Sequence, residues 1–338
     1  MNLTTRICFL MAFLSVQSMA FADPYEQGPE TQAVKRIRDI GGRVLPSSGS
    51  HVSEVYLSGS RAEDSDLRPL AALTDLKLLK FQSCKNVTGT GLAFLRSSKN
   101  LRSIWFEECD SLADHGMEEV GGLKQLEYLA IKNCKSVKGS GLRKLAGAKS
   151  LKQLSVSCSN SMSSIDLKEL GTLGQIIHLE VMDSSHGGAV VDETLESWSG
   201  MKSIECLELF SGDFGAKGLR SLTELSSLKR LRLQSSPGVD DESLAEIAKS
   251  KTIEDLELVA VPITDEGLKH LVGLRKLKSL NISACRSITD SALTAVAEMK
   301  SLRKLTYNRE NRKISTQGID ILQSLRPDLE IVNAGKES

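Results

Sequence analysis

The sequence predicts an α/β solenoid, a curved stack of short units with a parallel β-sheet on the concave face and short helices on the convex face. The first observation behind this is a fixed spacing. An aliphatic residue opens a recurring frame at Leu76, Leu101, Leu126, Leu151, Ile176, Ile204, Leu228, Ile253, Leu277 and Leu302, in steps of 25, 25, 25, 25, 28, 24, 25, 24 and 25 residues. The second is the frame itself, aliphatic at positions one, four and six and often Cys at nine, as in Leu277, Leu280, Ile282 and Cys285. Alternation at four and six turns one side of a short strand inward, so positions three, five and seven face solvent. The third is the segment after each frame: Ile288, Thr289-Asp290, then Leu293, Val296 and Ala297 at helical spacing. A unit this small cannot bury its apolar side alone, so neighbours must stack and share one core.

In chain order, Met1 to Ala22 reads as a secretory leader. Arg6 is its lone positive charge, Ile7 to Val16 is largely apolar, and Ala20-Phe21-Ala22 is a small-x-small cleavage site. The apolar run is too short to serve comfortably as a membrane anchor. Asp23 to Ser50 is an N-terminal cap. Ala33, Val34, Ile37 and Ile40 have helical spacing, Gly41-Gly42 stops the helix, and Arg43 to Leu45 is extended. Residues 51–333 hold about eleven repeats, beginning with a degenerate one framed by Val52, Val55 and Leu57. The unit from Ile176 to Ser203 is three residues longer, which predicts a protruding loop over MDSSHGGAVVDE. Leu329, Ile331 and Asn333 make a terminal strand, and residues 334–338 are a polar tail.

The Cys-bearing frame with its helical segment, ITDEGLKHL at Ile263 to Leu271, resembles the cysteine-containing leucine-rich-repeat family. The resemblance covers roughly Val52 to Asn333. That family includes the repeat domains of F-box substrate receptors and many exported bacterial repeat proteins. It implies a leucine-rich-repeat solenoid used as a binding scaffold. No F-box-like segment precedes the repeats, so a ubiquitin-ligase role is not implied.

Composition narrows the function classes. Lys plus Arg and Asp plus Glu each number 43, a net charge of zero, which disfavours nucleic-acid binding and docking on an anionic membrane. Cys84, Cys109, Cys134 and Cys285 share the inward ninth position, where a small side chain with a weak S–H donor suits the turn; buried thiols are expected there rather than disulfides. Cys158 falls one place short of that slot, which Ser159 takes. Cys206, at position three, should face the concave surface as the one reachable thiol, with no paired His evident. The five histidines show no metal-ligand spacing, and no metal or cofactor is expected. Thr264-Asp265 and Thr289-Asp290 read as caps of their own helices. Asp183, Ser184, Ser185, His186 and Asp192 crowd the long loop, but the Gly-flanked elbow and oxyanion hole of a hydrolase are missing.

The outward positions carry the site expectation. Trp198 matches the inward Leu95 and should be core. Trp105 at position five should face the groove, with Leu78 and Tyr128 beside it at position three of the flanking repeats. Met182 and Phe210 form a second apolar pair at position seven, and Glu180, Glu208, Glu257, Arg230 and Arg232 surround it. Outward aromatics ringed by charge match the anatomy of interface hot spots. About eleven strands give a sheet roughly 50 Å along its arc. The reading is an exported, non-enzymatic scaffold that binds a protein, or a cell-surface polymer, in its concave face, in a periplasm or outside the cell. The alternatives are a self-associating envelope protein and a hydrolase built on the Asp183 to Asp192 loop.

Overall fold

The structure is a computed structural model that describes residues 30–46, 51–59, 61–158, 162–183 and 188–335. The leader expected over Met1 to Ala22 lies outside these residues, as do Ser159, Ser184, Ser185 and His186. Helix α1 (Thr31–Asp39) opens the described chain; Ala33, Val34 and Ile37 are buried, and Gly41 stops the helix with φ 85°. It is followed by strands β1 (Arg43–Pro46), β2 (Val52–Ser58), β3 (Leu78–Gln82), β4 (Ser103–Glu107) and β5 (Tyr128–Lys132). Next come β6 (Gln153–Cys158), β7 (His178–Asp183), β8 (Cys206–Phe210), β9 (Arg230–Gln234) and β10 (Asp255–Val259). The series ends with β11 (Ser279–Asn281), β12 (Lys304–Tyr307) and β13 (Glu330–Asn333).

All of these strands form one open sheet in sequence order. Strand β1 runs antiparallel to β2 and closes that edge, while every later pairing is parallel. This is the expected leucine-rich-repeat solenoid. Short helices such as Ala216–Leu222 and Asp241–Ile247 return the chain along the other face. One apolar core runs from Ala33 to Leu329 between the two layers. Phe81 and Phe106, at position six of adjacent repeats, stack inside it with ring centroids 4.8 Å apart. Trp198 is buried as expected, its indole Nε1 donating to the Leu167 carbonyl at 2.9 Å.

Position nine behaves as its chemistry requires. Cys84, Cys109, Cys134 and Cys285 are buried free thiols. The Cys84 and Cys285 sulfurs donate to the carbonyls of Leu57 and Leu258 in the preceding repeat, both at 3.2 Å. Burial pushes the Cys285 thiol up to about 11, so it stays protonated and inert. Cys158 departs from the frame because β6 and β7 each run one residue further, pairing Cys158 with Asp183.

The Thr-Asp pairs divide their work, which corrects the capping expectation. Thr264 does cap its own helix, accepting from the Glu266 N–H at 3.3 Å. Asp265 instead reaches the next repeat, where Thr289 donates to it through N–H at 2.7 Å and through Oγ1 at 2.6 Å. Asp241 holds Thr264, and Asp290 holds Ser315, in the same way. These carboxylates therefore stitch one turn to the next. The glycine two places after the Asp makes room for the previous stitch, since a Cβ on Gly267 would stand 2.3 Å from Asp241 Oδ1.

Candidate functional site: the solvent face of the sheet

Parallel pairing in register turns each outward frame position into a row across the sheet. At position five Lys80 pairs with Trp105 and Trp105 with Ala130. Further along the same row Glu180 pairs with Glu208, Glu208 with Arg232, and Arg232 with Glu257. Position three places Tyr128 beside Ser103, and position seven places Met182 beside Phe210. The residues expected to face the groove do share one face, in two groups.

The first group is aromatic. Trp105 and Tyr128 are half-buried and stack with centroids 4.8 Å apart at an interplanar angle of 29°. The indole N–H donates to Ser103 Oγ at 3.0 Å, which fixes the ring's tilt. Ala130, outward yet buried, lies in register with Trp105. Lys80 and Lys132 flank the indole with ammonium groups 5.8 and 5.7 Å from its centroid, within cation–π range. Lys80 also pairs with Glu107 at 2.8 Å. Leu78 is half-buried and outward but in register with Ser103, so Lys80 takes the place beside Trp105 expected of Leu78. Burial first, then the Glu180 carboxylate, holds the Tyr128 phenol above its ordinary range.

The second group is ionic with an apolar edge. Arg232 is its centre, with its guanidinium 5.0 Å from the Phe210 ring centroid, 3.8 Å from Glu208 Oε2 and 3.6 Å from Glu257 Oε2. Its Nη2 donates to Gln234 Oε1 at 2.8 Å. Arg230 is exposed and paired with Asp255 at 3.1 Å. Met182 is exposed next to Phe210. Burial raises the Glu257 carboxyl, and Arg232 only partly offsets it.

Cys206 requires two corrections. It is buried, with 8% of its surface exposed, because the flanking His178 and Arg230 share its row at position three. It also has a histidine beside it. His178 pairs with Cys206 across β7 and β8, its Nε2 is 3.0 Å from Glu208 Oε1, and the Cys206 thiol points at the same oxygen at 3.7 Å. Burial alone would lower the imidazole, but its contacts with Cys206 and Glu208 reverse this and raise it to about 10. The His178 hydrogen bond in turn holds Glu208 below the usual carboxylate range. Reading the columns of the frame would have found the trio, since His178 and Cys206 occupy the same slot of successive repeats.

The long loop offers no catalytic centre among the described residues. Asp183 is buried and accepts the backbone N–H groups of Ala189 and Val190 at 2.5 and 3.0 Å. Asp192 accepts those of Gly215 and Gly218, both at 2.9 Å. Both acids hold backbone, while the Ser184, Ser185 and His186 of the hydrolase alternative lie outside the described residues.

A family model described as Leucine Rich repeat matches residues 273–297. Comparison with curated proteins gives no match. Among solved structures the chain is similar to an internalin, inlF, from Listeria monocytogenes str. 4b F2365. The identity is 14%, with 91% of this chain and 98% of that chain covered and a TM-score of 0.52. It is also similar to a chain of the TLR13–ssRNA13 complex, at 17% identity and a TM-score of 0.52, covering 83% of this chain and 40% of that one. A chain of the yeast Rad7–Elc1 complex matches at 17% identity over 83% of this chain and 80% of that chain, with a TM-score of 0.49. At these identities the likeness concerns the fold.

Proposed function

We propose that this chain is a non-enzymatic recognition scaffold that binds a protein partner on the solvent face of its sheet. The observation that carries the reading is the stacked Trp105–Tyr128 pair, held outward between Lys80 and Lys132. Large rings presented in a fixed orientation lose little conformational entropy on binding and dominate interface energetics. Phe210 and Met182 supply a second apolar contact, and the Arg232–Glu208–Glu257 group sets orientation through charge. A rigid sheet of this length can bury a standard interface of about 800 Å² per partner. Affinity capture from the native envelope and secreted fraction tests the reading, with the parent chain beside a Trp105→Ala, Phe210→Ala variant. A protein retained by the parent and lost by the variant supports the groove, whereas identical captured sets contradict it. A captured species that is the chain itself, with concentration-dependent mass in solution, points to self-association.

The leader over Met1 to Ala22 adds export to this proposal, with action in a periplasm or outside the cell. The chain recovered from its native source is expected to begin at Asp23. An intact Met1 terminus in mass spectra of that chain would rule export by this leader out.

A further inference from the structure

We propose that His178, Cys206 and Glu208 form a binding site for a borderline-soft divalent transition metal, with zinc the best fit. The three side chains come from adjacent strands. His178 and Cys206 are register partners on β7 and β8, and Glu208, two residues beyond Cys206, shares their face. Their ligand atoms lie within 4.8 Å of one another. His178 Nε2 and Glu208 Oε1 are 3.0 Å apart, and Cys206 Sγ and that same oxygen are 3.7 Å apart. Ordinary Zn–N, Zn–O and Zn–S bond lengths in a tetrahedron put nitrogen and oxygen about 3.4 Å apart and sulfur and oxygen about 3.6 Å apart. These two edges therefore need shifts of only a few tenths of an ångström, while the third, between the His178 nitrogen and Cys206 Sγ, is about 3.5 Å in such a tetrahedron and lies within 4.8 Å here.

Convergence distinguishes a metal site from a catalytic relay. In a Cys–His–acid relay the thiol and the acid engage opposite nitrogens of the imidazole. Here the sulfur approaches the very carboxylate oxygen that contacts Nε2, so all three groups point at one place. The donor set of one thiolate, one imidazole and one carboxylate suits zinc better than magnesium or calcium, which favour oxygen alone. Arg232 lies towards the other Glu208 oxygen, Oε2, at 3.8 Å. Arg230 pairs with Asp255 but also lies against Cys206, so metal entry at the sulfur requires its guanidinium to turn towards Asp255. Cys206 lies deep while the His178 and Glu208 side chains are 32% and 20% exposed, so a fourth coordination position opens towards the sheet's solvent face. Coordination requires a neutral imidazole and a thiolate, so the protons on His178 and Cys206 pass to solvent as the metal enters. The site stands whether or not the groove binds protein.

The test titrates ZnCl2 into the purified full chain by calorimetry and follows CoCl2 by absorbance. One zinc per chain is expected, with a near-ultraviolet thiolate-to-cobalt band. Cys206→Ser should abolish that band, and both Cys206→Ser and His178→Gln should weaken zinc by more than about 10-fold, the scale on which even outer-shell groups act. Glu208→Gln, which keeps the side chain's shape, should weaken zinc in the same direction. Circular dichroism checks that each variant keeps the parent's fold. A parent that takes up no stoichiometric zinc, or variants that hold it as tightly as the parent, would overturn the site.

Discussion

At Ala260 the backbone enters the left-handed region with φ 53°, and the same happens at Ser83, Glu108, Asn133, Ser211, Ser235 and Ala284. All of these are position eight of the frame, where the strand breaks towards the buried ninth residue. An L-residue there costs about 1–2 kcal/mol, least for Asn. What offsets it is a hydrogen bond between repeats: Ser83 N–H donates to the Glu107 carbonyl at 2.8 Å, and Ala260 N–H to that of Ser283 at 3.0 Å. None of this is legible in the sequence, because the position carries Ser, Glu, Asn or Ala rather than a run of Gly. Ala260 is exposed, so Ala260→Asn should relieve strain without touching the core and raise stability by about 1 kcal/mol. Denaturant unfolding that places the variant at or below the parent would show that the turn stores no such strain.

Between elements, the carboxylates at the helix starts do more than local capping rules assign to them. Asp64 accepts from Thr88 N–H and Oγ1 at 3.0 and 2.6 Å, and from Gly89 and Gly91 N–H at 3.0 and 2.9 Å. Burial alone would raise its pKa, but these bonds reverse that and lower it. Asp166 is lowered in the same manner by Ser163 and Gly139. The unfolded chain therefore takes up these protons first as pH falls. The stabilisation is complete above about pH 5 and is lost as pH drops through the lowered folded values. Asp64→Asn should lower Tm at neutral pH and flatten its fall between about pH 5 and pH 3. Parallel Tm curves for parent and variant over that range would mean the stitch carries no charge-dependent stability. The Asp and Gly of the ITDEGLKHL pattern were visible, but that the Asp serves the next repeat emerges only when the repeats are stacked.

Over the whole molecule, a solenoid exposes core at both ends unless it is closed. At the N-terminal end α1 lies over the first repeat, with Arg36 bonded to the buried Asp66 at 2.6 Å, and β1 covers the sheet edge. At the other end the buried Arg326, just after the helix Thr316–Leu325, donates to the carbonyls of Met299 and Leu302 at 3.0 and 2.8 Å and ties that helix to the preceding repeat. The period and frame made this architecture readable, because one apolar pattern repeats at nearly constant spacing. The concave rows were readable for the same reason, and Trp105, Tyr128, Met182 and Phe210 fall where the frame places them. The metal-ligand trio escaped because His178 and Cys206 are separated by a whole repeat in sequence and become neighbours only through strand pairing. Function therefore turns on which face of the stack does the binding. The most direct test is the binding isotherm of a captured partner against the parent, the Trp105→Ala, Phe210→Ala variant and a helix-side control, Ile165→Ala, whose side chain is 72% exposed. The groove variant should lose at least about 2 kcal/mol, roughly 30-fold in Kd, with thermal unfolding nearly unchanged and the control equal to the parent. A groove variant that binds like the parent, or a control that alone loses binding, would place recognition on the helical side and contradict a concave binding site.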